Sequence, residues 1–377
     1  MSVHVASVGV GRFGKRSEGL LELATEAAGL ALEGIGRKKV DLFVAGTMLA
    51  HGPQGPPALL PRLAERLGLD WESGFRVEAA SATGAMAFHA AVESIEAGRA
   101  SRALVVAVDK MTDQPTGVLT RELAAALHES EVASGATMPG LGSLVAQRYL
   151  QRHHLAPEAM GLVTVHDRSM ASANPRAHLP KPVSLEEVAA SRPVALPLRL
   201  LHCAPISDGA AAAVVEKGAG KATVLGLGQG FDALRITDRA DLSSFLATRL
   251  AARRAYQQSG LTRKNIDLVE LHDAFSPLAF VHLEDLGFCG SGEGPGWYER
   301  GWVQRDGRLP VNPSGGLLGR GHPVAATGLA GIAEIAAQLR GEAGPTAVAR
   351  PPKIGLAQSM AGLGAQNFVT ILGEAPS

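Results

Sequence analysis

Cysteine is scarce in this chain, with only Cys203 and Cys289 among 377 residues, far apart and without CxxC spacing. This scarcity argues against a disulfide framework and against a structural zinc site. An excess of one charge is also lacking, because 36 Lys and Arg residues balance 36 Asp and Glu residues. A chain without net charge has no general field that favours nucleic acid or an anionic membrane. We therefore expect no nucleic-acid partner and no structural zinc.

Long apolar runs are absent as well, so the sequence predicts no membrane span. The first residues, MSVHVASVGVGRFG, lack the basic segment and apolar run of a signal peptide. A P-loop is missing, and GVGRFG has neither the spacing nor the later acidic residue of a dinucleotide fingerprint. These absences lead us to expect a soluble, cytoplasmic protein with no membrane partner.

Material for a large core is abundant, since 46% of the residues are hydrophobic and only 19% are charged. Apolar runs of strand length, such as HVASVGV and SRALVVAVDKM, alternate with helical segments such as SEGLLELATEAAGLALEGI. This alternation predicts a layered α/β fold with buried strands. The pattern is lost between about Thr112 and Arg199, where a segment rich in Pro, Ser and charge is typical of an excursion that carries binding loops.

Two segments of the sequence resemble each other. SATGAMAFHAAVESIEAG, which begins at Ser81, and AATGLAGIAEIAAQLRG, which begins at Ala325, share A-T-G, an alanine two residues later and an alanine-rich helix. A repeat of this kind predicts a duplicated half-domain. Ser81 and Ala325 would then occupy equivalent turns, with a site between the two halves.

The first of these turns has three interpretations. Ser81 follows the short strand of VEAASATGAMA and precedes a helix, where free backbone N–H groups and the helix dipole favour an anion. A nucleophile or an oxyanion would be stabilised there. Ser81 is therefore a nucleophile, a residue that replaces a nucleophile, or a helix cap, which is a common role of serine.

Two histidines are candidates for proton transfer. His322 lies in VNPSGGLLGRGHPVAATG, on a glycine-rich loop before a helix, where it acts as a base or hydrogen-bond donor or only satisfies loop carbonyls. His272 ends a buried strand in VELHDAFSPLAF, where open α/β sheets place ligands. We expect the adjacent Asp273 to begin the next turn or to cap a helix. Gly362 and Gly364 in GLAQSMAGLGAQNF would let the backbone bend close to a substrate.

Taken together, these stretches resemble the thiolase superfamily over nearly the whole chain. The motifs that carry the resemblance are, in order, VEAASATGAMA, DKMT, NPRAH, SDGAAA, HDAF, NPSGGLLGRGHPVAATG and GLAQSMAGLG. HDAF in place of NEAF points to the sterol-carrier-protein-like branch. The resemblance implies two similar βαβαβαββ halves in five αβαβα layers with an inserted loop domain. It places the N-terminal half at 1–111 and 200–218, the loop domain at 112–199 and the C-terminal half at 219–377.

The resemblance also implies an activity, which is acyl transfer between coenzyme A thioesters through an acyl-enzyme. By position, His322 would activate the nucleophile and His272 would stabilise the thioester oxyanion. The Ser81 N–H and the glycine turn at Gly362 and Gly364 would hold the acyl-enzyme oxyanion. It further implies no metal, no permanently bound cofactor and a homodimer or homotetramer. Members of this branch often work with a small zinc-ribbon/OB-fold partner protein.

The chain departs from this family at its sulfur positions. Ser81 stands where the nucleophilic cysteine is expected, while Gln358, Ser359 and Ala274 stand where a second catalytic cysteine is found. A thiol has a pKa of about 8.5 that a helix N-terminus lowers further, whereas a serine hydroxyl needs a general base. Loss of the thiolate could slow the chemistry by orders of magnitude.

Four interpretations remain open. The cysteine was replaced to trap a substrate, or Ser81 itself forms the acyl-enzyme. The fold instead performs chemistry without a covalent acyl group: retro-aldol cleavage of a β-hydroxyacyl-CoA, with Tyr298 as a candidate proton donor, decarboxylation or thioester hydrolysis. Lastly, the chain is a non-catalytic acyl-CoA binder or scaffold. The presence of both His272 and His322 argues against a simple binder, and we favour carbon–carbon bond chemistry on acyl-CoA in the thiolase manner.

Overall fold

The structure of the protein, a computed structural model, describes residues 2–36, 39–49, 58–69 and 73–374. Its strands are β1 (Val3–Val10), β2 (Leu42–Gly46), β3 (Ser73–Val77), β4 (Arg102–Asp109), β5 (Pro193–Ala195), β6 (Leu198–Arg199), β7 (Gly209–Lys217), β8 (Thr223–Phe231), β9 (Leu268–Glu270), β10 (Ile354–Ala361) and β11 (Gln366–Gly373). Its α-helices are α1 (Leu20–Glu33), α2 (Leu59–Leu67), α3 (Thr83–Glu96), α4 (Thr116–Ala124), α5 (Glu129–Ala133), α6 (Met138–His153), α7 (Gly161–Ala171), α8 (Leu185–Ala190), α9 (Leu246–Ser259), α10 (Pro277–Asp285), α11 (Gly294–Glu299) and α12 (Val324–Arg340). None of the described helices is long and apolar enough to cross a membrane.

The main sheet consists of two similar halves. Its order is β3-β2-β4-β7-β1-β8-β11-β10-β9, and the halves join where His4 of β1 pairs with Thr223 of β8. Outward from this junction, β7 and β11 are antiparallel to their neighbours, and the parallel pairs β4–β2 and β10–β9 follow. In the first half, β3 pairs with β2 at the outer edge. In the second half, a parallel bridge between Val269 of β9 and Val311 takes the corresponding place. The predicted duplication is therefore confirmed in the strand order.

Helices of the two halves fill the centre of the molecule. α3 and α12, which carry the repeated A-T-G, pack against each other, and α12 contacts strands of both halves. α1 covers the outer side of the first half, and α9 covers that of the second. Glycines at 226, 228 and 230 allow this second contact, since a Cβ at each would lie within 2.3 Å of an α9 carbonyl oxygen. The expected layered α/β fold, with helices outside and between the two halves of the sheet, is confirmed.

Burial on both faces explains the apolar strands. β4 and β7 lie in the middle of the first half, and every residue of β4 from Ala103 to Asp109 is buried. Such strands read as continuous apolar runs rather than as alternating ones. The turns and loops that follow β3, β9 and β10 carry Ser81, His272 and Gly362, and His322 lies in the loop before α12.

The segment from Thr112 to Arg199 contains more regular structure than its composition indicates. It holds α4 to α8 and the β5–β6 hairpin. α6 starts at the Thr137 cap and buries one stripe, which includes Val145 and Tyr149. A helix that buries only one stripe leaves the rest polar, and this explains why the sequence looked irregular. The division into halves and loop domain stays a prediction, and its outer limits, positions 1 and 377, lie outside the described residues.

Candidate active site

Ser81 lies on a strained turn between β3 and α3. The preceding Ala80 has a φ of 44°, in the left-handed region that costs an L-residue about 1–2 kcal/mol. Neighbours hold this conformation: the Thr83 hydroxyl donates to the Ala80 carbonyl (2.7 Å) and accepts from the Ala79 N–H (2.8 Å). Strain that the surroundings maintain in this way is typical of functional sites.

The helix-cap interpretation of Ser81 is wrong. The N-cap of α3 is Ala82, and no side chain bonds to the first turn of the helix. Ser81 is half-buried, and its hydroxyl makes no hydrogen bond within the described part of the chain. The hydroxyl is therefore available to another group.

His322 is held in one orientation. Its Nδ1 lies 2.7 Å from Oγ1 of Thr327, and that hydroxyl donates to the carbonyl oxygen of Pro323 at 3.3 Å. A hydroxyl that gives its proton to Pro323 accepts one from Nδ1–H, which leaves the lone pair of the imidazole on Nε2. Burial, and second the charge of Arg320, lower the pKa of His322 to about 3. The ring is therefore a neutral base.

His272 faces His322. The ring centroids are 5.1 Å apart and the planes are perpendicular. The backbone N–H of His272 donates to Oε1 of Gln358 (2.9 Å). Nε2 of the same glutamine donates to Oδ1 of Asn367 (2.6 Å). Burial, followed by the neighbouring His322, lowers the pKa of His272 well below 6.5, so this ring is also neutral.

A buried ion pair supports the segment before His322. Nη1 of Arg320 lies 3.0 Å from Oε2 of Glu270, and both side chains are almost fully buried. Ser314 completes the contact, because its hydroxyl and N–H donate to the two carboxylate oxygens of Glu270 (2.8 and 3.1 Å). Ser207 holds the next residues, accepting the N–H of His322 at 3.1 Å. The loop is thus rigid on both sides of the histidine.

Asp109 joins the two halves at the site. Its carboxylate, at the end of β4, accepts from the Thr47 hydroxyl (2.7 Å) and from the N–H of Ala325 (2.7 Å) in the first turn of α12. Burial raises the pKa of Asp109 to about 6. Asp208 plays a similar part nearby, with Lys110 at 2.8 Å. These carboxylates fix the DKMT and SDGAAA motifs beneath the helix that follows His322.

A cavity of about 680 Å³ adjoins the turn before α3 and the turn after β10. Most of its wall is apolar, and it is lined by Met48, Leu49, Glu78, Ala79, Ala80, Glu122, Ala125, Ala126, Phe231, Asp232, Leu234, Ala361, Gly362, Ala365 and Gln366. Ala80 and Gly362 bring the cavity next to Ser81 and to the turn after β10. Ser81, His272 and His322 do not line it. Gly364 is also absent from the wall, because it faces Phe245, whose ring would lie 3.0 Å from an added Cβ.

Some sequence candidates lie elsewhere. Among the described residues, the ring of Tyr298 packs against the rings of His166 and Phe280 in the core and not against that of His322. Asp273 does not cap α10, whose N-cap is Ser276; it accepts from the N–H of Leu317 at 2.8 Å. The described residues contain no group of three or more His, Cys, Asp or Glu that could hold a metal ion.

Several positioning residues were missed from the sequence. Gln358, Asp109 and Ser207 bond to residues that are distant in the chain, and no local pattern identifies such pairs. Thr327 could have been found, because the repeated A-T-G places it opposite Thr83 in the other half. Each threonine uses its hydroxyl to fix a site turn.

Comparison with known proteins places this arrangement in a family. Residues 4–219 match the family model described as thiolase, N-terminal domain, and residues 228–374 match the one described as thiolase C-terminal domain-like. The acetyl-CoA acetyltransferase of Methanothermobacter thermautotrophicus is 38% identical over 361 residues, 93% of each chain. Human sterol carrier protein 2 is 30% identical over 98% of this chain and 71% of its own length.

A solved structure shows the same fold. The structure described as the Ltp2-ChsH2(DUF35) aldolase superposes with a TM-score of 0.82 at 27% identity, over 99% of this chain and 98% of that one. The two family models together span almost the whole chain, from residue 4 to residue 374. The chain belongs to the thiolase superfamily.

Proposed function

We propose that this protein is a thiolase-type acyl-CoA C-acyltransferase that forms or cleaves a carbon–carbon bond in acyl-CoA thioesters. Relatives named acetyl-CoA acetyltransferase support the reaction class. The observation that carries the proposal is the perpendicular contact of two neutral imidazoles, His272 and His322, together with the packing of α12, which begins just after His322, against the strained turn of Ser81. A neutral imidazole can accept a proton at one moment and return it at the next.

In the proposed first step, Ser81 becomes an acyl carrier. Nε2 of His322 accepts the hydroxyl proton while Oγ attacks the thioester carbonyl carbon. The carbon–sulfur bond breaks, coenzyme A leaves as a thiol with the proton from His322, and an oxygen ester remains on Ser81. A serine hydroxyl has no appreciable anionic form, so this step depends fully on the base.

In the second step, the acyl group moves to carbon. A second acyl-CoA gives an α-proton to Nε2 of His322, and its carbanion attacks the ester carbonyl. The bond between Oγ of Ser81 and the acyl carbon breaks, and Ser81 recovers its hydroxyl with the proton from His322. We assign the thioester oxyanion to His272 and the acyl-enzyme oxyanion to the Ser81 N–H and the turn at Gly362 and Gly364. Donors fixed at such positions are worth about 2.7–4 kcal/mol each in related chemistry.

The cavity next to this turn fits an acyl chain. Its wall is mainly apolar, with Leu49, Leu234 and several alanines. Glu78 and Asp232 are among its lining residues, and their charge would repel the phosphates of coenzyme A. We therefore place the acyl group there, and we infer a preference for acyl chains longer than acetyl.

The first test is the intact mass of the protein after incubation with acetyl-, butyryl- and octanoyl-CoA. We expect an adduct of one acyl group on the native chain, larger in yield for the longer chains and absent from Ser81→Ala. A Ser94→Ala variant is a matched control, because that serine lies in α3, the helix that follows Ser81, and its hydroxyl donates to the carbonyl oxygen of Ala90. If no adduct forms while acyl-CoA still binds, Ser81 is not an acyl carrier.

Retro-aldol cleavage of a β-hydroxyacyl-CoA is the second candidate. The absence of a thiol at position 81 and the likeness to the aldolase structure favour it. His322 would take the proton of the β-hydroxyl, the Cα–Cβ bond would break, and the enolate would recover a proton as the aldehyde or ketone leaves. Ser81→Ala should then keep the activity and His322→Gln should lose it, whereas acyl transfer would lose both.

We also propose that the protein acts as a homodimer or homotetramer in the cytoplasm. β3 is an edge strand that pairs with β2 on one side, and Phe75 on it is 38% exposed. An exposed edge strand can pair with a second copy. Both cysteines are free, which suits a reducing compartment. Light scattering of native and Phe75→Lys protein tests the self-association.

We also propose the small zinc-ribbon/OB-fold partner protein. The support for it is the DUF35 named in the aldolase structure, and copurification tests it.

A further inference from the structure

Two aspartates meet in the interior beneath the His322 loop. Asp167 belongs to α7 and Asp273 follows His272, and both side chains are completely buried. A Cβ built on Gly316 would lie 2.4 Å from Oδ2 of Asp167 and 2.6 Å from Oδ2 of Asp273. The two oxygens therefore lie on either side of one small space, close enough for direct contact.

This pair has few other partners. Oδ1 of Asp273 accepts from the N–H of Leu317, and Nδ2 of Asn312 borders the same space, 2.7 Å from the Cβ added at Gly316. Burial and then Asp273 raise the pKa of Asp167 by more than the Asn312 amide lowers it. Neither aspartate is in an ion pair within the described part of the chain. Two buried carboxylates without a cation cannot both be ionised, so at least one proton must be present.

We propose that Asp167 is a carboxylic acid that donates its proton to Oδ2 of the Asp273 carboxylate, and that this pair positions the two catalytic histidines. The role in catalysis rests on the proposed function above, whereas the shared proton does not. Asp273 is the acceptor because its other oxygen already receives the Leu317 N–H. The proton stays between two oxygens, and no bond to substrate is made or broken at this pair.

The pair connects three parts of the site. Asp273 is adjacent to His272, and its contact with Leu317 fixes the turn from Gly316 to Arg320 that leads to His322. That turn lies directly on α7, because a Cβ at Gly319 would be 2.8 Å from the carbonyl oxygen of Asp167. A change in the charge of the pair would therefore displace both imidazoles together.

The groups around the pair keep the proton in place. Burial and then the charge of Asp273 raise the pKa of Asp167 well above 3.8, and Glu270 adds to the effect. From α11, the Tyr298 phenol faces the pair, and burial keeps its pKa well above 10, so it stays neutral. Arg320, on the segment above, is paired with Glu270. On the α8 side, the charge of Glu187 acts on Arg168 instead.

The test is the stability of native protein and of Asp167→Asn by urea unfolding between pH 5 and 9. The asparagine keeps a donor for Asp273 and cannot ionise. A group with a raised folded pKa makes the native protein lose stability as pH rises above the ordinary aspartate value. We expect the unfolding equilibrium constant of the native protein to increase relative to Asp167→Asn by about tenfold per pH unit until the folded pKa is reached. Asp306→Asn, at an exposed aspartate, is the control and should show no such trend.

Kinetics then test the positioning role. We expect Asp167→Asn to keep kcat and to extend activity to higher pH, and Asp167→Ala to lower kcat more than KM. If the stability difference between native protein and Asp167→Asn does not change with pH, the proton is not on Asp167 and the proposal fails. If the pH trend is found but kcat is equal in all three proteins, the shared proton stands and the positioning role is wrong. Neither result depends on which acyl-CoA reaction is correct, because any measurable turnover or adduct formation serves as the kinetic readout.

Discussion

The imidazole of His272 stands perpendicular to that of His322, with 5.1 Å between the ring centroids. The two rings come from different elements: one follows β9, and the other precedes α12. Gln358 holds the backbone N–H of His272, and Thr327 holds the imidazole of His322. Because a charge on either ring would oppose a charge on the other, the pair is stable as two neutral bases, which is the state that proton abstraction needs.

The low pKa values predict an unusual pH profile. A base with an ordinary histidine pKa of 6.5 would lose activity as pH falls through that value. The pKa of His322 is about 3, so the base stays deprotonated and kcat/KM should be constant between about pH 5 and pH 8. The measurement is kcat/KM for the preferred acyl-CoA across this range. An acidic limb near 6.5 would mean that the imidazole is not desolvated.

The same low pKa makes the stability of the folded protein depend on pH, although kcat/KM does not. The folded pKa of His322 lies below 6.5, so the unfolded chain binds a proton that the folded chain does not, and stability falls as pH drops from 6.5 towards 3. The loss is about 1.4 kcal/mol per pH unit for one histidine. His322→Gln should remove one such contribution. Its free energy of unfolding, measured with urea, should therefore change less between pH 7 and pH 5 than that of the native protein. An equal change in both proteins would contradict this assignment.

Thr327→Val tests how the base is oriented. The substitution removes the acceptor for Nδ1–H and leaves a polar atom unpaired, at a cost of about 1–3 kcal/mol. Without that bond Nε2 is no longer the fixed proton acceptor, and we expect kcat to fall about 10- to 100-fold. The measurement is kcat and KM beside thermal unfolding.

A matched control separates orientation from stability. Thr370 bonds to Nε2 of His89 at 2.9 Å, in the buried interior between α3 and β11. Thr370→Val should lose a similar amount of stability with kcat unchanged. A comparable drop in kcat for both variants would assign the effect of Thr327→Val to general destabilisation.

Much of the fold was predictable from the sequence. Buried strands produce continuous apolar runs, and the repeated A-T-G marks two helices that meet in the centre, as α3 and α12 do. The helices between Thr112 and Arg199 were not predictable, because they bury narrow stripes among prolines and charges. The length of α6 depends on contacts with other elements, such as the bond from Tyr149 to Glu284.

The site was predictable in its motifs and not in its connections. The histidines stand out because each lies in a distinctive motif at the end of a strand or loop. The bonds that hold the backbone around them join His272 to Gln358 and Asp109 to Ala325, across 86 and 216 positions. Such pairs depend on the tertiary fold, and a sequence contains no local signal for them. The contact between Asp167 and Asp273 was missed for the same reason.

Ser81→Cys tests whether the site still favours an anion. A thiol there would gain from the helix N-terminus and the nearby base, so its pKa should be low and its reaction with iodoacetamide fast. The native cysteines should remain unlabelled at neutral pH, because burial raises the pKa of Cys203 to about 12 and that of Cys289 as well. We expect one label on Ser81→Cys and none on the native chain, measured by intact mass. Failure of Ser81→Cys to react would mean that the turn does not stabilise a thiolate.

Gly84→Ala tests the contact between the two repeated helices. A Cβ at Gly84 would lie 2.6 Å from the carbonyl oxygen of Ala325 and 2.8 Å from the backbone nitrogen of Leu329, and neither can move without α12. Overpacking of this kind costs about 1–3 kcal/mol, and the displaced helix carries the threonine that orients His322, so stability and kcat should fall together. Gly29→Ala in α1 is the control, since nothing lies within 4 Å of its added Cβ and the change should stabilise by about 0.5–1 kcal/mol. Chemical unfolding and kcat of both variants provide the measurement. A Gly84→Ala protein with native stability and activity would show that α3 and α12 do not pack as closely as the structure requires.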